Sequence, residues 1–521
     1  MSKLVQSSGA AAAATLASRV LGFLRESTYA WFFGDTAVAS AFIAAFTIPN
    51  LFRRLLGEGA LTAVFVPVFA RREREEGPEA ALRGGAAVTL AVAGACIAGI
   101  VLLLLLATAL VEWTPMSSQR EMMLRLTRVM LPYAAFVCVA AVFMALLNAR
   151  GHYFVPAMGS AMMSLVMIGS VYGLAPWFGT TLEQQVSGLA VGVILAGIAQ
   201  AAFQWPALRR EGFRWAWSWP WADPTVRESA RRLVPATLGV AAYQFNVVAT
   251  QVIGSLQADH VLASYNYAVR LLELPQGVIG VSVATFLLTE LSRHAADKKL
   301  PEFRRMLGEG MLHIGFLNGL ASVLLIVLAE PIIRLLFEQG RFNEASTRRA
   351  AMALRFLAPG LLATSITGIL SRAFYALDDT RTPMRVGVFC LGTNVVVALF
   401  LAFPFQQAGL AAANALSAIL NAALLLYAFG RKMPKFEARH LLPSVGRMLA
   451  LAAMAGVVAW GGNTLWETWV GHAGKLRQCG AVFVPGLAAL GAYAFASLAV
   501  GVPQAHELVA ILRSKLAVSR G

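Results

Sequence analysis

Residues 86–111 read AAVTLAVAGACIAGIVLLLLLATALV, a run without a single charged side chain. A helix needs about 20 apolar residues to cross the hydrocarbon core of a bilayer. The whole chain of 521 residues follows this pattern, since 58% of its residues are hydrophobic, only 13% are charged and its mean hydropathy is +0.66. Soluble domains have about 45–50% apolar and about 25% charged residues. The composition therefore predicts an integral membrane protein and excludes a soluble one.

Apolar stretches separated by short polar loops continue along the whole chain. They predict an all-α polytopic membrane protein with about fourteen transmembrane helices. The predicted spans are 8–33, 41–70, 86–111, 124–149, 155–178, 185–208, 228–254, 260–291, 308–329, 349–377, 384–404, 407–430, 442–463 and 479–501. The first span follows Lys3 and begins with an alanine run, as in a signal peptide, but it continues through Arg19 and Arg25. We therefore interpret it as a retained span.

The formal net charge of +16 comes from 43 lysine and arginine residues against 27 acidic ones. In a soluble protein such a surplus would suggest a nucleic-acid partner. Here the basic residues concentrate in alternate loops, such as those at 71–83, 209–232 and 431–439. Because cytoplasmic loops of membrane proteins carry the excess of lysine and arginine, we predict cytoplasmic termini and no nucleic-acid partner.

Two halves of the chain carry matching residues in the same order. Arg128-x-x-x-Pro132 recurs as Arg355-x-x-x-Pro359, and Pro156 recurs as Pro383 at the same offset. The repeat predicts two six-helix lobes, residues 1–222 and 223–432, followed by two further helices within 433–521. Because six is an even number, the lobes share one orientation and are related by an axis along the membrane normal. Transporters with such repeats bind substrate near the midplane, between the halves.

Several charged side chains lie inside predicted spans, where a charge costs about 2.5–3.5 kcal/mol on insertion scales and usually marks function. The arginines are Arg19, Arg25, Arg53 and Arg270, and the acids near them are Glu26, Glu58 and Glu273. The surplus is positive, and the planar fork of arginine suits bidentate binding of phosphate. These residues therefore predict a cationic cavity and an anionic, phosphate-bearing substrate.

A structural explanation competes with the functional one for some of these charges. Arg25 and Glu26 are adjacent and would form an ion pair near the interface, and Arg270 and Glu273 have the spacing of a helical i, i+3 pair. Arg19 has no acid close to it in sequence. Arg19 and Arg25 are about 120° apart on a straight helix, so one cavity can hold both only if it is wide or the helix bends.

At these same residues the sequence closely resembles the MurJ (MviN) lipid II flippase family. That family belongs to the multidrug/oligosaccharidyl-lipid/polysaccharide exporter superfamily. The stretches that carry the resemblance are SRVLGFLRE (18–26), IPNLFRRLLGEGALTAVFVPVFA (48–70), YAVRLLELPQGVIGVSVATFLLTELS (267–292), LLFEQGRFN (335–343) and RAFYALDDTRTP (372–383). They lie in both halves and in family order, so the resemblance covers nearly the whole chain.

The resemblance implies two lobes around a cationic central cavity. It also implies transport of lipid II, the undecaprenyl-diphosphate-linked disaccharide-pentapeptide, by alternating access. The lipid would move from the cytoplasmic to the periplasmic leaflet of the bacterial inner membrane, for peptidoglycan synthesis and cell shape. Arg25, Arg53 and Arg270 would contact the diphosphate, and Arg19 would support the cavity floor. Spans 442–463 and 479–501 would form a groove for the lipid tail.

Further expectations concern the oligomeric state, the partners and a possible metal site. We expect a monomer that needs no cofactor and has membrane lipids as its other partners. Some family members carry an acid where this chain has Ser40, and sodium-binding members carry an Asp where it has Thr250. Asp378 and Asn394 remain near the other sodium ligands, but a hard cation prefers several oxygens including carboxylate. We therefore predict no metal site, and leave coupling to the membrane potential, protons or other ions open.

Three alternative functions differ in their chemistry. A flippase for another lipid-linked saccharide would share the diphosphate and hence the arginines. A multidrug antiporter of the same superfamily would favour acids in the cavity. A membrane enzyme acting on the same lipid would need clustered acids or histidines, but the seven histidines are scattered and the four cysteines have no paired spacing. Asp378-Asp379 is expected to cap or pair at a helix end, so an enzyme fits the sequence least well.

Overall fold

A computed structural model describes residues 2–57, 60–113, 118–215, 219–436 and 441–518, and the regular elements in these ranges are all helical. This confirms the predicted all-α class. The helices of the first half are α1 (Ser2–Phe33), α2 (Ala37–Phe52), α3 (Ala60–Glu76), α4 (Pro78–Trp113), α5 (Ser118–Met130), α6 (Tyr133–Ala149), α7 (Phe154–Gly169), α8 (Leu182–Arg210) and α9 (Pro224–Ser255). Short π or 3₁₀ segments lie at Arg53–Gly57, Ser170–Leu174, Ala175–Phe178 and Pro220–Ala222.

The second half is built in the same way. Its helices are α10 (Val261–Pro275), α11 (Val281–Ala296), α12 (Leu300–Val327), α13 (Ala329–Phe337), α14 (Glu344–Leu357), α15 (Gly360–Ala376), α16 (Arg381–Lys432), α17 (Leu442–Trp469), α18 (Lys475–Ala499) and α19 (Pro503–Val518). A π turn at Gln276–Gly280 joins α10 to α11, and α16 is broken at Gln406, whose backbone has φ 51° and ψ −127°.

Each of the fourteen predicted spans coincides with one helix or with consecutive helical segments. Among the described residues, seven helices are by themselves long and apolar enough to cross a membrane. Two bent helix pairs, when each is counted as one span, raise this number to nine. The total of fourteen transmembrane helices therefore stays a prediction.

The chain divides into two compact units. The first comprises Met1–Ala263 together with Gln339–Phe342, and the second comprises Ser264–Glu338 and Asn343–Gly521. In the first unit α9 packs against α2, α3 and α4. The predicted lobe boundaries after residues 222 and 432 stay a prediction.

Polar contacts fix the start of α9 in the first unit. Asp223 caps the helix by accepting a hydrogen bond from Thr225 N at 2.8 Å, and Pro224 occupies the first helical position, where a missing N–H costs nothing. Arg72, in the last turns of α3, donates to the same Asp223 carboxylate at 2.5 Å. Below these contacts, Phe65 and Phe69 of α3 are fully buried against α4 and α6. Together the cap, the ion pair and this core hold α9 to the first unit.

Irregular helix geometry recurs at equivalent positions of the two halves. Pro132 and Pro359 each precede a helix with nearly the same dihedral angles, φ −58° and ψ −25° or −27°. The helix pairs that meet at these prolines are bent by 44° and 43°. Proline cannot donate the intrahelical hydrogen bond and clashes with the preceding turn, so it bends a helix at this point. The matching bends support the internal repeat.

Gly409 allows α16 to fold back on itself beyond the break at Gln406. A Cβ atom at position 409 would lie 2.0 Å from the carbonyl oxygen of Leu401 and 2.4 Å from its carbonyl carbon. Backbone cannot move aside as a side chain can, so we expect Gly409→Ala to destabilise the protein by at least the roughly 1–3 kcal/mol typical of overpacking. The measurement is the thermal unfolding midpoint of the purified protein in detergent. Gly430→Ala is the matched control, because position 430 of the same helix has open space. Equal midpoints for the two variants would contradict the expectation.

Candidate functional site

Arg25 of α1 forms an ion pair with its neighbour. Its Nη2 donates to Oε1 of Glu26 at 2.6 Å, and the two side chains are only 16% and 14% exposed. The guanidinium also lies 5.8 Å from the ring centroid of Tyr29, within the range of a cation–π contact. The pairing suggested as a structural explanation therefore forms. An anion at this place would have to compete with Glu26 or join the pair.

Arg19 lies two turns earlier on α1 and its side chain is exposed. Its neighbours Leu16 and Val20 are exposed as well, so this part of the helix surface is not covered within the first unit. Ser18 contacts α7 through a hydrogen bond of 2.7 Å to Ser160. Arg19 therefore lies on the uncovered part of α1, while the adjacent residue holds the helix to its neighbour.

Arg53 begins the π turn that follows α2. Its Nε donates to Oδ1 of Asn50 at 2.8 Å, and its side chain is partly buried. Such π segments are rare and often occur at functional sites. Glu58, predicted as a supporting acid, lies outside the described residues.

Arg270 of α10 belongs to the second unit and pairs with Glu273. Its Nη1 donates to Oε2 of Glu273 at 2.9 Å, with the predicted i, i+3 spacing. The two side chains are 35% and 47% exposed, so this pair is far more accessible than the pair of Arg25 and Glu26. The π turn at Gln276–Gly280 begins six residues after Arg270, whereas Arg53 is itself the first residue of a π turn. Within its own unit, Arg270 therefore remains accessible to a ligand from outside that unit.

The described candidate residues combine four arginines with two glutamates. Arg19, Arg25 and Arg53 lie in the first unit on α1 and on the π turn after α2, whereas Arg270 lies in the second. Their charges are opposed by Glu26 and Glu273, so the described set keeps a positive surplus. Chemically, each of these guanidinium groups can bind and orient a phosphate oxygen.

Two of the positions considered for a sodium site, Asp378 and Asn394, are separated along the chain of the second unit. Asp378 is exposed in the turn before α16, and Asn394 is buried. The thirteen residues of helix from Arg381 to Asn394 correspond to about 20 Å of rise, so the two side chains do not share one site. Thr250 of α9 is buried and belongs to the first unit. Within the described ranges, no group of three or more His, Cys, Asp or Glu side chains could hold a metal ion.

Of the two neighbouring residues Asp378 and Asp379, Asp379 has the capping and pairing role expected at this helix end. Its Oδ1 accepts from Thr382 N at 3.0 Å, and its Oδ2 accepts from Thr382 Oγ1 at 2.8 Å and from Lys432 Nζ at 2.7 Å. Partial burial raises the pKa of this carboxyl group, but the hydrogen bonds and the charge of Lys432 outweigh that effect and lower it to about 2. Asp379 is therefore a fixed anion that closes the start of α16.

The structural role of Ser40 was not predictable from any pattern in the sequence. This side chain is 1% exposed, donates to the carbonyl oxygen of Asp259 at 2.5 Å and accepts from Ala263 N at 3.2 Å. It therefore caps the first turn of α10, the helix that carries Arg270. Its partners are more than 200 residues away in sequence, and no local pattern predicts such a contact.

Arg334 of α13 is a second polar centre that sequence reasoning missed. It is only 8% exposed and lies 2.9 Å from Glu330, 3.5 Å from Glu338 and 3.2 Å from Glu467 of α17. The network connects α13 to α17 within the second unit.

Comparison with known proteins places this chain among lipid flippases. The family model "Lipid II flippase MurJ" matches residues 29–478. A probable lipid II flippase MurJ of Vibrio cholerae is 32% identical over 90% of this chain and 91% of its own length. A relative of the same name from Bdellovibrio bacteriovorus is 31% identical over 97% of this chain and 96% of its own.

Solved structures show the same fold. A lipid II flippase MurJ in an inward closed conformation superposes with a TM-score of 0.77, covering 94% of this chain and 99% of that one, at 19% identity. A multidrug resistance transporter of the MATE family in an inward-facing conformation superposes with a TM-score of 0.65, covering 79% and 94%, at 16% identity. The resemblance seen in the sequence and the prediction of a transporter are thus confirmed: the chain belongs to the lipid II flippase MurJ family.

Proposed function

We propose that this chain carries lipid II from the cytoplasmic to the periplasmic leaflet of the bacterial inner membrane by alternating access. The observation that carries the proposal is the family match across residues 29–478, a range that includes Arg53 and Arg270. In this proposal Arg25, Arg53 and Arg270 contact the diphosphate, and Arg19 supports the cavity. Glu26 and Glu273 orient the arginines with which they pair.

The chemistry of the candidate residues supports a diphosphate ligand. Arginine presents two parallel N–H donors that match two phosphate oxygens, and a partly buried guanidinium interacts with an anion more strongly than one in water. The ion pairs of Arg25 and Arg270 keep both guanidinium groups in place before a ligand arrives. A drug cation would be repelled by this set, which argues against a multidrug antiporter despite the shared fold.

The orientation and assembly form part of the same proposal. The basic loops support cytoplasmic termini, so the end of α1 at Phe33 faces the periplasm. A chain with both units is expected to act as a monomer, surrounded by membrane lipids. The groove for the lipid tail is assigned to α17 and α18, which pack against each other in the second unit.

The test uses cells in which this chain is the sole lipid II flippase. An added enzyme that cleaves only lipid II exposed on the outer face of the cytoplasmic membrane measures the exposed fraction. When the chain is depleted, we expect the exposed fraction to fall while total lipid II accumulates. An unchanged exposed fraction would overturn lipid II as the cargo and favour another lipid-linked saccharide.

A further inference from the structure

The loop between α13 and α14 belongs to a different unit from the helices that flank it. Residues Gln339–Phe342 belong to the first unit, whereas Glu338 and Asn343 on either side belong to the second. These four residues are therefore grouped with the first unit, although the residues on both sides of them are grouped with the second. We call this segment, residues 339–342, the loop latch.

Hydrogen bonds join the loop latch to the last turns of α1. The backbone N–H of Arg341 donates to the carbonyl oxygen of Trp31 at 3.0 Å, and Nη1 of Arg341 donates to that of Phe32 at 2.7 Å. Gln339 Nε2 donates to Ser27 Oγ at 3.0 Å. The last four carbonyl groups of a helix have no intrahelical partner, and a cation is favoured at this end of the helix dipole. The latch therefore supplies both the donors and the charge that the end of α1 requires.

Two glycines allow the backbones to approach each other from both sides. Gly340 has φ +61°, and a Cβ there would lie 2.4 Å from the carbonyl oxygen of Trp31. Gly34, just after α1, has φ +64°, and a Cβ there would lie 2.6 Å from the carbonyl oxygen of Arg341. Both positions require a conformation and a space that only glycine has. The close approach of the two backbones therefore depends on a glycine in each segment.

The contact acts on the helix that carries the candidate arginines. Ser27, the partner of Gln339, is two residues from Arg25 on α1. The hydrogen bonds to Ser27, Trp31 and Phe32 therefore position the outer end of α1 along about two helical turns. In the proposed orientation this end faces the periplasm, where lipid II must leave the protein.

We propose that the loop latch positions α1 while the outer side of the transporter is closed, and that it releases α1 once in each transport cycle. The inference rests on the proposed function, because a transport cycle is its premise. The latch moves with α13 and α14, since only one residue on each side separates it from the second unit's helices. Opening toward the periplasm then requires its hydrogen bonds to α1 to break. Gln339 and Arg341 are in this sense positioning residues.

The first test links the latch to α1 in a variant without native cysteines. Ser27→Cys and Gln339→Cys are introduced together and joined by a short bifunctional methanethiosulfonate reagent. We expect the link to lower the exposed fraction of lipid II about tenfold relative to the same double-cysteine protein before linking, and a reductant to restore it. In each single-cysteine variant the reagent should not change the exposed fraction that this variant has without it. Normal transport by the linked protein would overturn the latch. If the unlinked parent exposes no lipid II, the proposed function fails and the second test decides on the latch.

The second test needs no transport. The rate at which a membrane-impermeant maleimide labels Ser27→Cys from the outside is measured with Arg341 intact or replaced by alanine. Loss of the charge-assisted hydrogen bond from Nη1 of Arg341 to the carbonyl oxygen of Phe32, at the end of α1, should raise the labelling rate about tenfold. Arg348→Ala is the matched control, since Arg348 is an exposed arginine of α14 that pairs only locally with Glu344. Equal rates in the Arg341→Ala and Arg348→Ala proteins would overturn the latch.

Discussion

Arg25→Ala is expected to lower the exposed fraction of lipid II at least about tenfold in cells that depend on this chain. A charge-assisted hydrogen bond contributes about 1.5–3 kcal/mol, and every 1.4 kcal/mol corresponds to a factor of ten. Arg25→Lys should give an intermediate loss, because an ammonium group keeps the charge but not the planar fork. The readout is enzymatic cleavage of exposed lipid II at equal protein abundance.

A structural role for Arg25 predicts a different pattern, and a second variant separates the two. Removing Arg25 alone leaves the Glu26 carboxylate partly buried without the arginine that pairs with it, and this would destabilise α1. The double variant Arg25→Ala/Glu26→Gln removes that charge. If Arg25 binds the diphosphate, the double variant stays inactive. If transport recovers, Arg25 only balances Glu26.

Arg74→Ala provides the matched control for loss of a positive charge. Arg74 is an exposed arginine at the end of α3, and its described contact is a hydrogen bond to the carbonyl oxygen of Ala70. We expect this variant to expose lipid II as the parent does. Should Arg74→Ala lose as much transport as Arg25→Ala, net charge and not a defined site would explain the effect.

Local chemistry explains which parts of the fold were predictable from sequence. The length of each apolar stretch predicts where a helix runs. Pro132 and Pro359 mark the bends, because proline lacks the N–H that the helical hydrogen bond needs. The break at Gln406 separates the predicted spans 384–404 and 407–430 within one helix. Proline also lies before the two π turns, as Pro49 before Arg53–Gly57 and as Pro275 before Gln276–Gly280, but it did not show that a π turn would follow.

The candidate site was predictable in its residue types and less so in its partners. Charge inside an apolar span identified the arginines, and the short sequence spacing predicted the pairs of Arg25 with Glu26 and Arg270 with Glu273. Contacts across long sequence separations were not predictable. Ser40 caps α10, and the loop latch contacts α1, only because the chain returns to the same place after hundreds of residues.

The network around Arg334 shows how a buried charge is stabilised in the second unit. Three glutamates share one guanidinium, and each of their side chains is less than a third exposed. Thr347 Oγ1 donates to Glu338 at 2.6 Å and His472 Nδ1 lies 2.6 Å from Glu467, so the carboxylates have further partners. Arginine suits this centre because its donors point in several in-plane directions at once.

Arg334→Met is expected to destabilise the protein by about 3 kcal/mol, because it retains much of the side chain's length but leaves three carboxylates around an uncharged group. Removing one partner of a buried ion pair costs about 3–5 kcal/mol, and the partial exposure of the glutamates places this case at the lower end. The measurement is the midpoint of thermal or denaturant unfolding in detergent. Arg348→Met is the control, since its exposed pair with Glu344 should contribute less than about 1 kcal/mol.

Neutralising one of the glutamates around Arg334 should reduce the loss of stability caused by Arg334→Met. In the background of Glu467→Gln one of the three carboxylates is neutral, so Arg334→Met should cost less there than in the parent. Residues in one network are not additive, and the difference between the two costs measures their coupling, about 0.5–3 kcal/mol for contacting groups. An identical cost in both backgrounds would mean that Arg334 acts through packing alone. In that case the loss should instead follow side-chain volume, and Arg334→Ala should be less stable than Arg334→Met.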